Sequence, residues 1–192
     1  MEDRLFTLNE KDKGDLLSIA RETIKQYLGA RNIPVVNTEA ISENLKTNCG
    51  AFVTLHKNRA LRGCIGSFSP HEPLYKVVQQ MAIASSTKDY RFPAVAPKEV
   101  DGLNIEISVL TPMKKINSID EIELGKHGIY IKKGDRGGTF LPQVAKETGW
   151  TKEEFLGHCA QDKAGLGWNG WKDADIYIYE ALVFGEKDAP DH

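Results

Sequence analysis

Hydrophobic positions recur along this chain first with a helical period and then with the alternation of strands. Leu16, Leu17, Ala20, Ile24, Tyr27 and Leu28 fall on one helical face. Asn9 is placed to cap that helix, with Asp12 in its first turn and Gly29 as a stop signal. Ile33-Pro34-Val35 breaks the pattern, and a short helix is predicted near 38–45. Residues 51–57 and 61–67 read as a hairpin around Asn58-Arg59, whose loop length sets the register. A two-residue loop would put Arg62 and Cys64 on the face of Val53 and Leu55. A three-residue loop puts Leu61 and Ile65 there instead and groups the apolar residues. The second register is preferred, because a one-residue slip sends the wrong set to the core. Arg62 and Cys64 then share a face with Phe52, Thr54 and His56.

Ser69-Pro70-His71-Glu72 reads as a helix start, with Ser69 as N-cap, Pro70 first in the helix and Glu72 closing a capping box. That helix should run to about Ser86 and bury Leu74, Val77, Val78, Met81 and Ala82. Residues 104–110 alternate, with Ile105, Ile107 and Val109 against Asn104, Glu106 and Ser108. A short strand is predicted at 129–132, a turn over Gly134–Gly138, a returning strand at Thr139-Phe140-Leu141 and a helix opened by Pro142. Thr151 to Glu154 forms a second capping box, opening a helix that buries Phe155, Leu156 and Cys159. Residues 175–184 read as one long terminal strand, and 186–192 as a fraying tail. The mixed order argues an α+β fold with a mainly antiparallel sheet flanked by helices.

Composition narrows the function classes. The 192 residues fit one domain, with a core over roughly 10–187, or one domain with an appendage. Hydrophobic residues make up 41% and charged residues 27%, enough apolar material for a core. The net charge of -2 and pI near 6.2 provide no global basic field to recruit nucleic acid. No apolar run approaches the roughly 20 residues of a membrane helix, and the first residues lack a signal-peptide pattern. No membrane association and a cytoplasmic location are therefore expected. Cys49, Cys64 and Cys159 are an odd count without paired spacing, which argues against a disulfide framework. No C-x-x-C or H-E-x-x-H pattern points to a metal, and no cofactor is expected.

The chemistry concentrates in Leu61-Arg62-Gly63-Cys64-Ile65-Gly66. Two glycines inside a strand suggest a bulge or a close backbone approach. A cation beside a thiol favours the thiolate, so Arg62 and Cys64 on one face suggest an activated nucleophile. The bland alternative is a strand cysteine that only packs. Cys49 and Cys159 read as packing residues. Among the histidines, His127 at a strand start is the best-placed acid or base, ahead of His56, His71 and His158. Asp89 and Arg91, in Asp89-Tyr90-Arg91-Phe92-Pro93, read either as a surface pair or as a loop presenting both to a ligand. Gly134–Gly138 lacks the Lys-Ser/Thr of a phosphate loop and reads as a hairpin turn. The stretch from Gly165 to Trp171 reads as a loop pinned by Trp171 or a mobile lid.

These residues resemble a known family. Leu61 through Phe68 is similar to the signature of the AMMECR-one family, the protein A component of the AmmeMemoRadiSam system. Lys88 to Pro93, His127-Gly128-Ile129, Phe140 to Ala145 with Gly149-Trp150, Lys163 to Leu166 and Trp171 agree in order. The resemblance implies an α+β fold with a larger sheet-containing part, a smaller second subdomain and a cleft between them. It also implies Memo-like and radical SAM partners in a modification pathway. On that basis Cys64 is expected as nucleophile or thiol ligand and His127 as acid or base. Arg62, Asp89, Arg91 and Gln143 are expected to hold the substrate. The competing expectation is a non-catalytic module for a nucleotide, nucleic acid or peptide, or a scaffold for the radical SAM partner.

Overall fold

A computed structural model describes residues 6–68 and 71–186. They form two compact units, one of 6–110 with 182–186 and one of 111–181. The fold is α+β, as the hydrophobic pattern predicts, but its strands form two four-stranded sheets instead of one.

In the first unit, α1 (Glu10–Ala30) opens on a reciprocal capping box: Asn9 Oδ1 accepts the Asp12 N–H at 2.8 Å, and Asp12 Oδ2 accepts the Asn9 N–H at 3.2 Å. The helix runs through Gly29 and is closed by Arg31, which adopts left-handed φ 55. The sheet contains β1 (Ala51–Lys57), β2 (Ala60–Ser67), β3 (Leu103–Leu110) and β8 (Ala181–Gly185), in the order β2-β1-β3-β8. Val53, Leu55, Ile105, Ile107 and Val109 are fully buried with Leu16, Ala20 and Ile24 of α1 and Leu74, Val77, Val78 and Ala82 of α2 (Leu74–Thr87). The sheet thus turns one face to the two helices. Phe52, Thr54, His56, Asn104, Glu106 and Ser108 alternate onto the other.

The hairpin register combines the two alternatives weighed from the sequence. Asn58 and Arg59 form a two-residue turn with φ 51 and 66. A bulge then skips Arg62, so Leu55 stands opposite Gly63 but His56 stands opposite Leu61. The extra residue restores the apolar register beyond it, where Val53 pairs with Ile65 and Thr54 with Cys64. Leu61, expected on the core face, is instead 39% exposed.

α2 begins at Leu74 with Pro73 as its cap, later than predicted. Pro73 is tied to Asn48 by an isolated β-bridge, and the Leu74 N–H donates to the Thr47 carbonyl at 2.9 Å. Proline also disfavours helical geometry at the residue before it, so Glu72 stays outside the helix. Ser69 and Pro70 lie outside the described residues. Glu186, assigned to a fraying tail, is instead anchored: its carboxylate binds Arg21 at 2.5 and 2.7 Å and accepts the Ile105 N–H at 2.8 Å. Residues 187–192 lie outside the described residues.

The second unit contains β4 (Lys114–Lys115), β5 (Gly128–Lys133), β6 (Arg136–Phe140) and β7 (Asp175–Tyr179), ordered β4-β7-β5-β6. Helices α3 (Pro142–Thr148) and α4 (Lys152–His158) cover it, and α4 continues as a π-helical turn over Cys159–Lys163. The hairpin turn predicted over Gly134–Gly138 is tighter than that, only Gly134-Asp135, and β6 already starts at Arg136. The single terminal strand predicted at 175–184 is broken at Glu180. There Thr111 pairs with Glu180 through its backbone N–H (2.9 Å) and its Oγ1 (2.8 Å), and β7 and β8 join different sheets. Among the described residues no helix is long and apolar enough to cross a membrane.

Candidate functional site

The site is built on β2, the outermost strand of its sheet, and on the loop that leaves α2. Gly63 faces α2, where a Cβ would lie 2.2 Å from the Ser85 backbone oxygen, so only glycine lets helix and strand approach this closely. That approach brings the buried Ser85 hydroxyl into the ladder. It accepts the Ile65 N–H at 3.0 Å and lies 2.7 Å from both the Val53 and Met81 carbonyls. On the opposite face Gly66 leaves room for the Phe52 ring.

One residue beyond Gly63, the backbone of Cys64 is clamped by an ion pair. Asp89 Oδ2 accepts the Cys64 N–H at 2.9 Å and the Arg91 Nη2–H at 2.7 Å, while Asp89 Oδ1 accepts the Arg91 Nε–H at 2.9 Å. Arg91 Nη2 also donates to the Cys64 carbonyl at 3.2 Å. The pair therefore fills the hydrogen-bonding groups that an edge strand would offer to a neighbouring strand. Asp89 is 6% exposed and Arg91 covers it from the solvent side. Its carboxyl is held well below the usual carboxylate range, first by the Arg91 hydrogen bonds and then by the Cys64 N–H. Arg91 is correspondingly raised, chiefly by its hydrogen bonds to Asp89.

The Cys64 side chain is half-buried on the face away from the helices, with Sγ 3.1 Å from Thr54 Oγ1. Thr54 stands between Cys64 and Glu106 in one row across β2, β1 and β3. Arg62, expected beside the thiol, has other partners. As the bulged residue, it sends its guanidinium to the Pro93 carbonyl (2.8 Å) and to Glu99 (3.2 and 3.4 Å). Glu99 also accepts from Lys57 (2.8 Å) and from the Ala96 N–H (2.8 Å), and these donors lower its pKa to about 2, Lys57 first, Ala96 next and Arg62 after it. The cation hydrogen-bonded to the residue bearing the thiol is Arg91, and Arg62 braces the loop that carries Asp89 and Arg91.

Arg62, Cys64, Asp89 and Arg91 thus come together in the first unit, and His127 and Gln143 lie in the second. His127 Nδ1 accepts the Glu123 N–H at 3.0 Å, which leaves Nε2 as the protonated nitrogen of the neutral ring, 4.0 Å from Glu180 Oε1. Gln143 is exposed in the first turn of α3. Ser85, Thr54 and Glu99 are the residues that sequence reasoning did not assign to the site. Ser85 carried a signal, as a serine within the apolar side of a helix, whereas Glu99 gave none that linked it to Arg62.

The other cysteines are walled in. Cys49 is 3% exposed and Cys159 0%, and burial pushes both thiols up to about 12. Iodoacetamide followed by peptide mass spectrometry should therefore modify Cys64 in the native protein well before the other two. Equal labelling would contradict these burial assignments. The Gly165–Trp171 loop is largely exposed but pinned at two points: Trp168 lies over Gly157 and edge-on to His158 (4.8 Å), and Arg136 Nη1 donates to the Gly165 carbonyl at 2.9 Å.

Two antiparallel four-stranded sheets with their covering helices define an α+β protein. The AMMECR1 family model matches residues 17–184, and the chain belongs to that family. A protein of Methanopyrus kandleri is 40% identical over 184 residues, covering 90% of this chain and 87% of its own. One of Methanocaldococcus jannaschii is 38% identical over 193 residues, covering 95% and 93%. The crystal structure of an uncharacterized protein from Pyrococcus horikoshii superposes with a TM-score of 0.72 at 36% identity, covering 90% of each chain.

Proposed function

We propose that Cys64 is a working thiol, acting as a nucleophile or soft ligand on a substrate whose anionic part is bound by Arg91. The observation that carries this reading is the Asp89–Arg91 clamp, which fixes both backbone groups of Cys64 while its side chain stays half-exposed. Rigid placement of a reactive group is what a catalytic or transfer site requires. Arg91 spends Nε and Nη2 on the clamp, and its side chain remains 44% exposed, so Nη1 is available to an anion. Arg62 supports this arrangement through Glu99. In this reading the protein works with Memo-like and radical SAM partners in a modification pathway.

The rival is a binding module in which Cys64 only packs. The 3.1 Å contact with Thr54 favours it, because that contact gives the thiol a partner of its own. Complementation of a strain deleted for this chain separates the two. Cys64→Ser and Arg91→Ala should both fail while remaining folded, and a Cys64 peptide isolated with the Memo-like and radical SAM proteins present should carry added mass. Full complementation by Cys64→Ser would sink the thiol reading. Copurification of the partners, repeated with Arg91→Ala, tests whether they dock on this loop.

A further inference from the structure

Away from Cys64, the first unit contains an open cavity of about 390 Å³ between α1 and the segment 33–41. Its size lies in the range of small-ligand pockets. α1 supplies Lys11, Asp15, Ser18, Ile19, Glu22 and Gln26, a stripe along one helical face. The facing wall is Pro34 to Asn37 with Ala40 and Ile41.

The two walls are tied at both ends and open in the middle. At one end Lys11 pairs with Asp15 at 2.6 Å and reaches the Ala40 carbonyl at 3.4 Å. At the other, Asn32 Nδ2 donates to Gln26 Oε1 at 2.9 Å. Gln79 of α2 also lines the cavity, though it is only 7% exposed. Its Nε2 donates to the Pro34 carbonyl at 2.8 Å and faces Thr23 Oγ1 at 3.4 Å. A backbone carbonyl can only accept, so this bond fixes the amide's orientation. Among the described residues nothing donates to Gln79 Oε1.

The charge of the cavity is not balanced. Asp15 is neutralised by Lys11, but among the described residues no cation contacts Glu22. Arg21 feels its charge yet is committed to Glu186 and to the Val100 and Leu103 carbonyls. The cavity therefore combines apolar walls (Ile19, Pro34, Val36, Ile41), a free carboxylate and an unused amide carbonyl. Both polar groups accept hydrogen bonds, and a primary ammonium supplies three donors.

We propose that this cavity is a binding site for a small organic cation, a primary ammonium on a compact apolar body. The ammonium lies between Glu22 and Gln79 Oε1, and the body lies against Ile19 and Ile41. The test is an amide NMR titration of the whole chain with phenethylammonium chloride as probe, following the Gln79 side-chain amide. A Kd of roughly 1–10 mM is expected for so small a ligand. Glu22→Gln, at an exposed position, should keep the fold and weaken binding roughly 5-fold. The isosteric alcohol, phenethyl alcohol, should bind more weakly than the amine. No movement of the Gln79 signal, or equal binding of amine and alcohol, would overturn the proposal. Because the readout does not involve Cys64, its outcome is independent of the thiol reading.

Discussion

Gly63→Ala should cost about 3 kcal/mol or more and lower the thermal midpoint by roughly 6–12 °C. The added methyl would sit 2.2 Å from the Ser85 oxygen and 3.2 Å from the Ser85 carbonyl carbon, and both are backbone atoms of α2. No side-chain rotation relieves such a clash, so helix and strand must separate. Separation withdraws the Ser85 hydroxyl from Ile65 and Val53 and leaves buried polar groups without partners. Gly66→Ala is the informative contrast. The three atoms nearest its methyl all belong to the Phe52 ring, a side chain that can change its χ1 rotamer where the Ser85 backbone cannot, so the loss should be smaller. Gly29 lies inside α1, and a methyl added there would have nothing within 4 Å, so alanine should bring a gain of about 0.5–1 kcal/mol. Thermal melts of the three variants should rank Gly63→Ala lowest and Gly29→Ala highest. A Gly63→Ala protein as stable as wild type would mean that the close packing of α2 on β2 does not govern stability.

Much of this architecture can be read from local rules. Asn9 and Asp12 declare the start of α1 because capping is a contact over three residues. The alternation of residues 104–110 declares β3, and the two glycines around Cys64 announce a close approach. What escaped depends on partners distant in sequence. The Arg62 bulge shifts one residue within a hairpin, and alternation alone cannot tell a three-residue loop from a two-residue turn with a bulge. Glu99, 37 positions beyond Arg62, captures its guanidinium. The start of α2 is set by the bridge from Asn48 to Pro73, which overrides the capping signal at Ser69. The break at Glu180 is invisible in a hydrophobic pattern that runs on through it, since it is made by Thr111. The spacing of Asp89 and Arg91 was legible, but their inward turn onto the Cys64 backbone was not.

That inward turn carries the second large effect. Asp89→Asn should unlock Cys64 and flatten the response of the protein to acid. Asp89 Oδ2 accepts from both Cys64 and Arg91, and Oδ1 accepts from Arg91. An asparagine must turn an NH₂ group towards one of these donors, so one side of the clamp opens in either orientation. Because the native carboxyl titrates below its unfolded value of about 3.9, the unfolded chain takes up the proton first on acidification. The clamp's contribution is fully present above that value and is lost as pH falls through the lower native one. Urea midpoints measured from pH 7 downwards should therefore fall less steeply below about pH 4 in Asp89→Asn than in wild type. Glu99, with its pKa lowered to about 2, titrates in the same direction in both proteins and cancels from the comparison. Cys64 alkylation at neutral pH reads the same clamp from the functional side. A released strand should change its rate in Asp89→Asn, while Cys49 and Cys159 stay protected by burial. Parallel acid profiles together with an unchanged Cys64 rate would show that Asp89 does not position the thiol.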